Sequence, residues 1–332
     1  MPFDNTLYTT RQLIGMYYDP DITDPVPNYW LQFFPGQINF DTEYVDFGRL
    51  HGQRKMAPLV VPTTQGKPMY SAAEERVQVK PAYVKPKDAV SATRVIKKLA
   101  GQGEMNYDTN RDPRARYALL VADILNTHRR GIERRWEWMA AGAVQNGQVI
   151  LEDDGYPRTI VDFKRAGAHT VSLSGASQWG QVGVNALTSL WGWRNIMRTA
   201  KWGGAATRAT MGTRAWEVFS ADPAMMATLK TDVQPGTYNN QFNLGGLQGD
   251  VPAEWVGRIN GTLDVYVYSD SYEAPDGTDV PLMDPRDVVL TSSNIQGVRC
   301  FGAIQDVAAQ WQPVEVFTKM WNQEDPSATF IL

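Results

Sequence analysis

Residues 112–145, DPRARYALLVADILNTHRRGIERRWEWMAAGAVQ, decide how the rest of the chain is read. Asp112 before Pro113 is a helix-start signature: the carboxylate accepts an orphan N–H, and proline lacks the donor that the first turn would waste. Tyr117, Leu120, Val121, Ile124, Leu125, Ile132, Trp136, Met139 and Ala143 then recur at three- and four-residue steps. At about 100° per residue they form one stripe, while Asp123, Asn126, Arg130, Glu133, Arg134 and Glu137 fall on the opposite face. Asn146-Gly147 supplies a left-handed stop. At about 1.5 Å per residue the helix is about 50 Å long, far beyond the usual three turns or so. A coiled-coil helix is the alternative, but the stripe is broad, and Gly131 and Arg135 interrupt it. The reading is a buried spine with Tyr117, Leu120, Ile124, Ile132, Trp136 and Met139 in its core.

The 332 residues suffice for a sizeable core and two or so domains. Lys and Arg number 32 against 36 Asp and Glu, a net charge of −4, so no global basic footprint marks a nucleic-acid binder. An apolar content of 43% with 11 Trp and 14 Tyr excludes a disordered chain. The lone Cys300 excludes an intramolecular disulfide and fits a reducing compartment. No run approaches the roughly 18 apolar residues of a membrane helix. The start, MPFDNTLYTTRQLIGMYY, lacks the basic region and apolar core of a signal peptide. The expectation is a chain that is soluble and cytoplasmic at synthesis.

Residues 1–41 read as an extended arm. Thr9 or Thr10 caps a short helix, RQLIGMYY, and prolines 20, 25, 27 and 35 then fix φ and remove donors. Tyr17, Tyr18, Tyr29, Trp30, Phe33 and Phe34 give this arm an aromatic surface that must lie on something; Phe33-Phe34-Pro35 docks on its own chain or on a neighbour. From 42 to 90 the pattern is a long two-stranded hairpin, TEYVDFGRLHGQRKM and ERVQVKPAYVKP, with an irregular Pro- and Gly-bearing tip. Each arm reaches about 40 Å at roughly 3.3 Å per residue, and an isolated hairpin is marginal in water, so it needs a surface outside its own domain. Arg49, Arg54, Lys55, Arg76, Lys80 and Lys85 against Asp46, Glu74 and Glu75 are charges suited to setting register across a subunit interface.

A charged connector follows at 92–110. After the spine, 148–165 is a hairpin turning at Asp153-Asp154-Gly155. Helices are expected at 184–200, 213–219 and 223–230, the last capped by Asp222-Pro223, and strands at 262–268, 287–291, 297–306 and 315–321.

The chemistry-bearing residues form no catalytic constellation. His51, His128 and His169 have no ligand at helical spacing, and His128 lies in the apolar stripe, so a core histidine is favoured over a metal ligand. Glu152-Asp153-Asp154-Gly155 starts like a calcium loop without the closing glutamate. No nucleophile elbow, phosphate-binding loop or dinucleotide fingerprint is present, and no cofactor or metal is expected.

Five segments carry a family resemblance: YTTRQL at 8–13, FFPGQINFDTEYV at 33–45, VKPAYVKPKDAV at 79–90, GVRCFGAIQDVAAQ at 297–310 and FTKMWNQEDPSATFIL at 317–332. In this order they resemble the major capsid proteins of tailed bacteriophages, specifically the phage lambda-type E family; residues 174–249 resemble it only in outline. The resemblance implies an α+β, HK97-like capsid fold: N-terminal arm 1–41, extended loop 42–90, a peripheral domain 91–166 with spine helix 113–145 and hairpin 148–165, an axial domain 167–290, and returning peripheral strands 291–332. One departure stands out: the sequence stops at Leu332 within the apolar run ATFIL, where family members usually continue through one more strand. Either this chain is shorter or the sequence is a piece that ends before that strand. The implied function is self-assembly, in hexamers and pentamers, into an icosahedral shell around the packaged genome. The implied partners are a decoration protein, a portal and a scaffold, with DNA enclosed without sequence-specific binding, no membrane, and assembly in the bacterial cytoplasm. The alternatives are an encapsulin-like nanocompartment shell and a hydrolase or sugar-binding protein with an unrecognised site, which would be a monomer or small oligomer.

Overall fold

In the computed structural model the spine is one helix, Pro113–Asn146. Its stop is built twice over. Gly147, at φ +66°, donates its N–H to Ala143 O at 3.1 Å, and Arg165 Nη1 caps the carbonyls of Val144 and Gln145 at 3.3 and 2.7 Å. A Cβ on Gly147 would stand 2.8 Å from Arg165 Cβ, so both the dihedral and the space require glycine. The structure describes residues 8–19, 28–50, 74–91, 113–153, 155–200, 203–230, 241–242, 252–323 and 328–332. The expected cap Asp112, the connector 92–110, the hairpin tip, His51, Arg54 and Lys55 lie outside the described residues.

The buried face of the helix does not keep to one stripe. Leu120, Val121, Ile124, Leu125 and His128 are buried in the first half, and Glu137, Ala140 and Ala141 in the second. At about 100° per residue these two sets point to roughly opposite sides. The expectation of a single face is therefore corrected: Glu137, assigned to solvent, is 1% exposed, while Ile132, Trp136 and Met139 are half-buried, as is Tyr117. The two halves face different neighbours.

The first half packs on a three-stranded antiparallel sheet of order Met320–Gln323, Ala328–Ile331, Asp88–Ser91. Leu13, Val90, Leu120, Val121, Ile124, Leu125, Met320 and Ile331 form this core. Leu13 comes from the short helix Thr10–Tyr17, started by a capping box: Thr9 N–H donates to Gln12 Oε1 at 2.9 Å and Gln12 N–H to Thr9 Oγ1 at 3.4 Å. Beside the second half lies the expected hairpin, Gln148–Asp153 with Tyr156–Asp162, in register Val149 to Val161.

A five-stranded sheet has the order Val288–Thr291, Arg208–Gly212, Leu263–Tyr268, Ala253–Ile259, Gln241–Phe242. Leu263–Tyr268 runs parallel to Arg208–Gly212; the other pairings are antiparallel. Helices Ala186–Thr199, Thr213–Ser220 and Pro223–Lys230 contribute Leu190, Phe219 and Met225 to a core with Leu263, Val265 and Val267. Tyr266 and Tyr268 alternate to the sheet's other face and belong to a separate cluster. Arg208–Gly212 was not anticipated from sequence; four of its five residues are buried, so no polar alternation marks it.

By their contacts the residues divide into two compact units, one drawn from Met1–Gly36, Lys85–Gly297 and Thr318–Leu332, the other from Gln37–Val84 and Val298–Phe317. In the smaller unit Val45–Leu50 pairs antiparallel with Glu74–Val79, and Gly36–Asn39 pairs with Val298–Phe301. The strand expected at 297–306 stops at Phe301, and farther on Asp306 accepts the N–H of Ala308 at 2.8 Å and opens a run of turns. Within these turns Gln310 and Trp311 both take positive φ. The strand expected at 315–321 is displaced to Met320–Gln323.

Candidate functional site

The most constructed polar site in the larger unit is where residues 28–34 dock. This segment is a tight turn, Leu31–Phe33, and Gln32 Nε2 braces it by donating to Tyr29 O at 2.6 Å. Its backbone lands on the second half of the spine. Glu137 Oε1 accepts the N–H groups of Tyr29 and Trp30 at 2.8 and 2.6 Å, and Oε2 accepts that of Leu31 at 3.0 Å. Burial pushes the Glu137 carboxyl above its ordinary value, the three N–H groups pull it back, and nearby Asp270 pushes it up again.

The side chains of the segment land on the five-stranded sheet. Tyr29 OH and Thr210 Oγ1 share a hydrogen bond of 2.6 Å, and burial raises the Tyr29 hydroxyl to about 12. Trp30 meets Tyr268 edge to face with centroids 5.4 Å apart. The Arg208 guanidinium lies over Tyr266, Phe33 and Tyr29 at 4.8, 5.4 and 5.8 Å. One turn before Glu137, Arg134 holds Asp270 through contacts of 2.8 and 2.7 Å and donates to Ser271 O at 3.1 Å. Gly297 closes the far side: its N–H donates to Phe33 O at 2.8 Å, and any Cβ there would strike Phe34.

Phe33 is thus buried, and Phe34 half-buried, against their own chain. Of the other residues expected at an interface, Arg49, Glu74, Glu75 and Arg76 lie on the paired strands of the smaller unit. There Arg49 stands opposite Glu75 and Gly48 opposite Arg76. Lys80 pairs with Glu43 at 2.7 Å, and Lys85 is exposed. In the same unit Tyr83 OH donates to Ala303 O at 2.8 Å and accepts the Gln305 N–H at 3.1 Å, while Arg299 pairs with Glu315 at 3.2 Å.

His128, 5% exposed, bonds Asp88 Oδ2 through Nε2 at 2.9 Å and so ties the helix to the three-stranded sheet. Among the described residues no group of three His, Cys, Asp or Glu is placed to hold a metal. A cleft of about 160 Å³ at the helix's C-terminal end is lined by Trp138, Gln145, Gln148, Tyr272 and Leu282 among others, with no carboxylate, histidine, lysine or cysteine. Burial raises the half-buried Cys300 thiol, the opposite of what a nucleophile needs. No described helix is long and apolar enough to cross a membrane.

Sequence reasoning missed Glu137, Arg208 and the Arg134–Asp270 pair. One signal was present: from Glu137, Ala140, Ala141 and Val144 follow at three, four and seven residues, a second apolar face whose first member is the carboxylate.

The family model for phage major capsid protein E matches residues 24–332. The chain is 26% identical over 330 residues to the P21 prophage-derived major head protein of Escherichia coli O6:H1 strain CFT073, covering 98% of this chain and 93% of that one. To the major capsid protein of Escherichia phage lambda it is 23% identical over 331 residues, covering 98% and 94%. A crystal structure of a prophage capsid protein from E. coli CFT073 superposes with a TM-score of 0.69 at 21% identity, covering 98% of this chain and 93% of that one, which establishes a shared mixed helix-and-sheet fold. With the family match spanning the docked segment, the spine and both sheets, the chain belongs to the phage major capsid protein E family.

Proposed function

We propose that the chain builds its shell in the HK97-like manner. Its role as a major capsid protein, a shell subunit of the virion, rests on the family match over residues 24–332. The named relatives are phage capsid proteins, and the encapsulin-like reading has no support among them. In the proposed arrangement residues 1–41 are the N-terminal arm, 42–90 the extended loop, 91–166 and 291–332 the peripheral domain, and 167–290 the axial domain. Hexamers and pentamers form by head-to-tail contacts that close into rings. A decoration protein, a portal and a scaffold join during assembly in the host cytoplasm, and the chain catalyses no reaction.

The extended loop is the proposed interface. Two paired strands with no third strand among the described residues need a covering surface, and a neighbouring subunit supplies it. Arg49, Arg54, Lys55, Glu74, Glu75, Arg76, Lys80 and Lys85 would set its register; Phe33 and Phe34, packed in their own chain, contribute less. Excising residues 57–73 tests this reading. The expected outcome is soluble, folded protein that no longer closes shells in electron micrographs; normal shells from that variant would overturn the interface.

A further inference from the structure

We infer that residues 28–34 are a releasable staple, a segment whose docking beneath Glu137 couples the spine helix to the five-stranded sheet and which undocks without melting either core. The inference concerns the conformational states of the single chain and does not depend on the arrangement of the shell.

Three observations carry it. The first is the partition of the core. Tyr29, Trp30 and Phe33 cluster with Ala140, Ala141, Tyr268, Leu282 and Met283. None of these residues belongs to the core under the sheet's helices or to the core of the first helix half. Undocking therefore opens one cluster and leaves two intact.

The second is how the segment is held. A single carboxylate takes three backbone donors and pairs with no cation among the described residues, since Arg134 is engaged by Asp270 and Ser271. Trp30 Nε1 and Tyr268 OH are buried at the same place with only each other as a marginal partner, short of good hydrogen-bond geometry, among the described residues. A partly satisfied polar network in a low-dielectric interior opposes the aromatic burial around it, so docking is a small difference between large terms.

The third is what remains after release. Besides the staple, the helix meets the segment following strand Leu263–Tyr268 through Arg134 to Asp270, through Gln145 Nε2 to Leu282 O at 3.0 Å, and through the small side chains of Ala140 and Ala141 in the cluster with Leu282 and Met283. With the staple out, helix and sheet stay joined by these few contacts, which lack the aromatic burial that residues 29–33 bring.

Hydrogen exchange followed by mass spectrometry on the full chain tests the inference. In the wild type, amides at 29–34 should exchange about tenfold or more faster than those at 120–125 and 263–267, because they open locally. Glu137→Gln replaces the acceptor facing Leu31 with a donor, and should speed exchange at 29–34 by about a further tenfold while leaving the other two segments within about twofold. Equal, slow exchange of all three segments in the wild type would overturn the staple, as would no change, or a uniform change, in the variant. Should Glu137→Gln fail to fold, Arg208→Ala keeps the carboxylate cradle and removes the cation over the rings; acceleration confined to 29–34 supports the inference, and uniform or absent acceleration overturns it.

Discussion

The two halves of the spine helix solve one problem in opposite ways. The first half buries Leu120, Val121, Ile124 and Leu125 against strands and a second helix in an apolar core, with His128 buried on the same side of the helix and bonded to Asp88. The second half buries a carboxylate and two alanines against a backbone turn crowded with aromatic rings. In the first, area removed from water is the stabilising term. In the second, small side chains let the turn approach closely, and Glu137 satisfies donors that a buried loop would otherwise leave orphaned. A helix can therefore present a hydrophobic face at one end and a hydrogen-bonding socket at the other, on roughly opposite sides.

The comparison can be broken at several strengths. Leu125→Ala, at a fully buried position, should cost about 3–5 kcal/mol in chemical denaturation, since lost transfer energy and a cavity add. A cost below about 1 kcal/mol would mean the first half is loosely packed.

Glu137→Leu should cost less, about 2–3 kcal/mol, because removing a buried charge offsets part of the loss from three unpaired N–H groups. Measured in the same denaturation series, a stabilised variant would show that the socket contributes nothing.

Trp136→Ala falls between the two buried faces. Half-buried, it should cost about 1–2 kcal/mol, and an effect equal to that of Leu125→Ala would restore a single continuous stripe.

The smallest expected effect is on pH dependence. Burial raises the Glu137 carboxyl above its ordinary 4.5, with Asp270 adding to the rise. Tyr29, whose ring stacks under Arg208, and Tyr268 lie nearby; Arg134 is the neighbouring cation on the helix itself. Between 4.5 and the raised value the folded chain holds a proton that the unfolded chain has released, so this contribution to stability falls as pH rises through that window and is flat above it. Asp264, held low by Arg258, has the opposite sign and weakens the fold in acid. Subtracting the Glu137→Gln profile from that of the wild type between about pH 4.5 and 8 isolates the first contribution. A difference that grows with pH would contradict the direction of the shift.

Much of the fold was legible because its signals are local. Thr9 with Gln12, Asn146 with Gly147, the turn at Gly155 and Asp222 before Pro223 each fix a boundary through one or two hydrogen bonds within a few residues, and each expected helix is present. The alternation of Leu263, Val265 and Val267 likewise showed its strand. Arg208–Gly212 was illegible because a central strand buried on both faces has no alternation to read. The docked segment was half legible. Its aromatic content showed that it had to lie on something, but not what lay beneath it.

The sequence by itself determined the long helix, its ends, the hairpins and the family, since these follow from spacing, capping and segment order along the chain. Only the tertiary structure decided which side of that helix is inside. A helical pattern records where apolar residues recur, but the buried face is set by what packs there, and two different neighbours pack on two different sides. Glu137 reads as solvent-facing until Tyr29, Trp30 and Leu31, more than 100 residues away in sequence, bring three N–H groups to it.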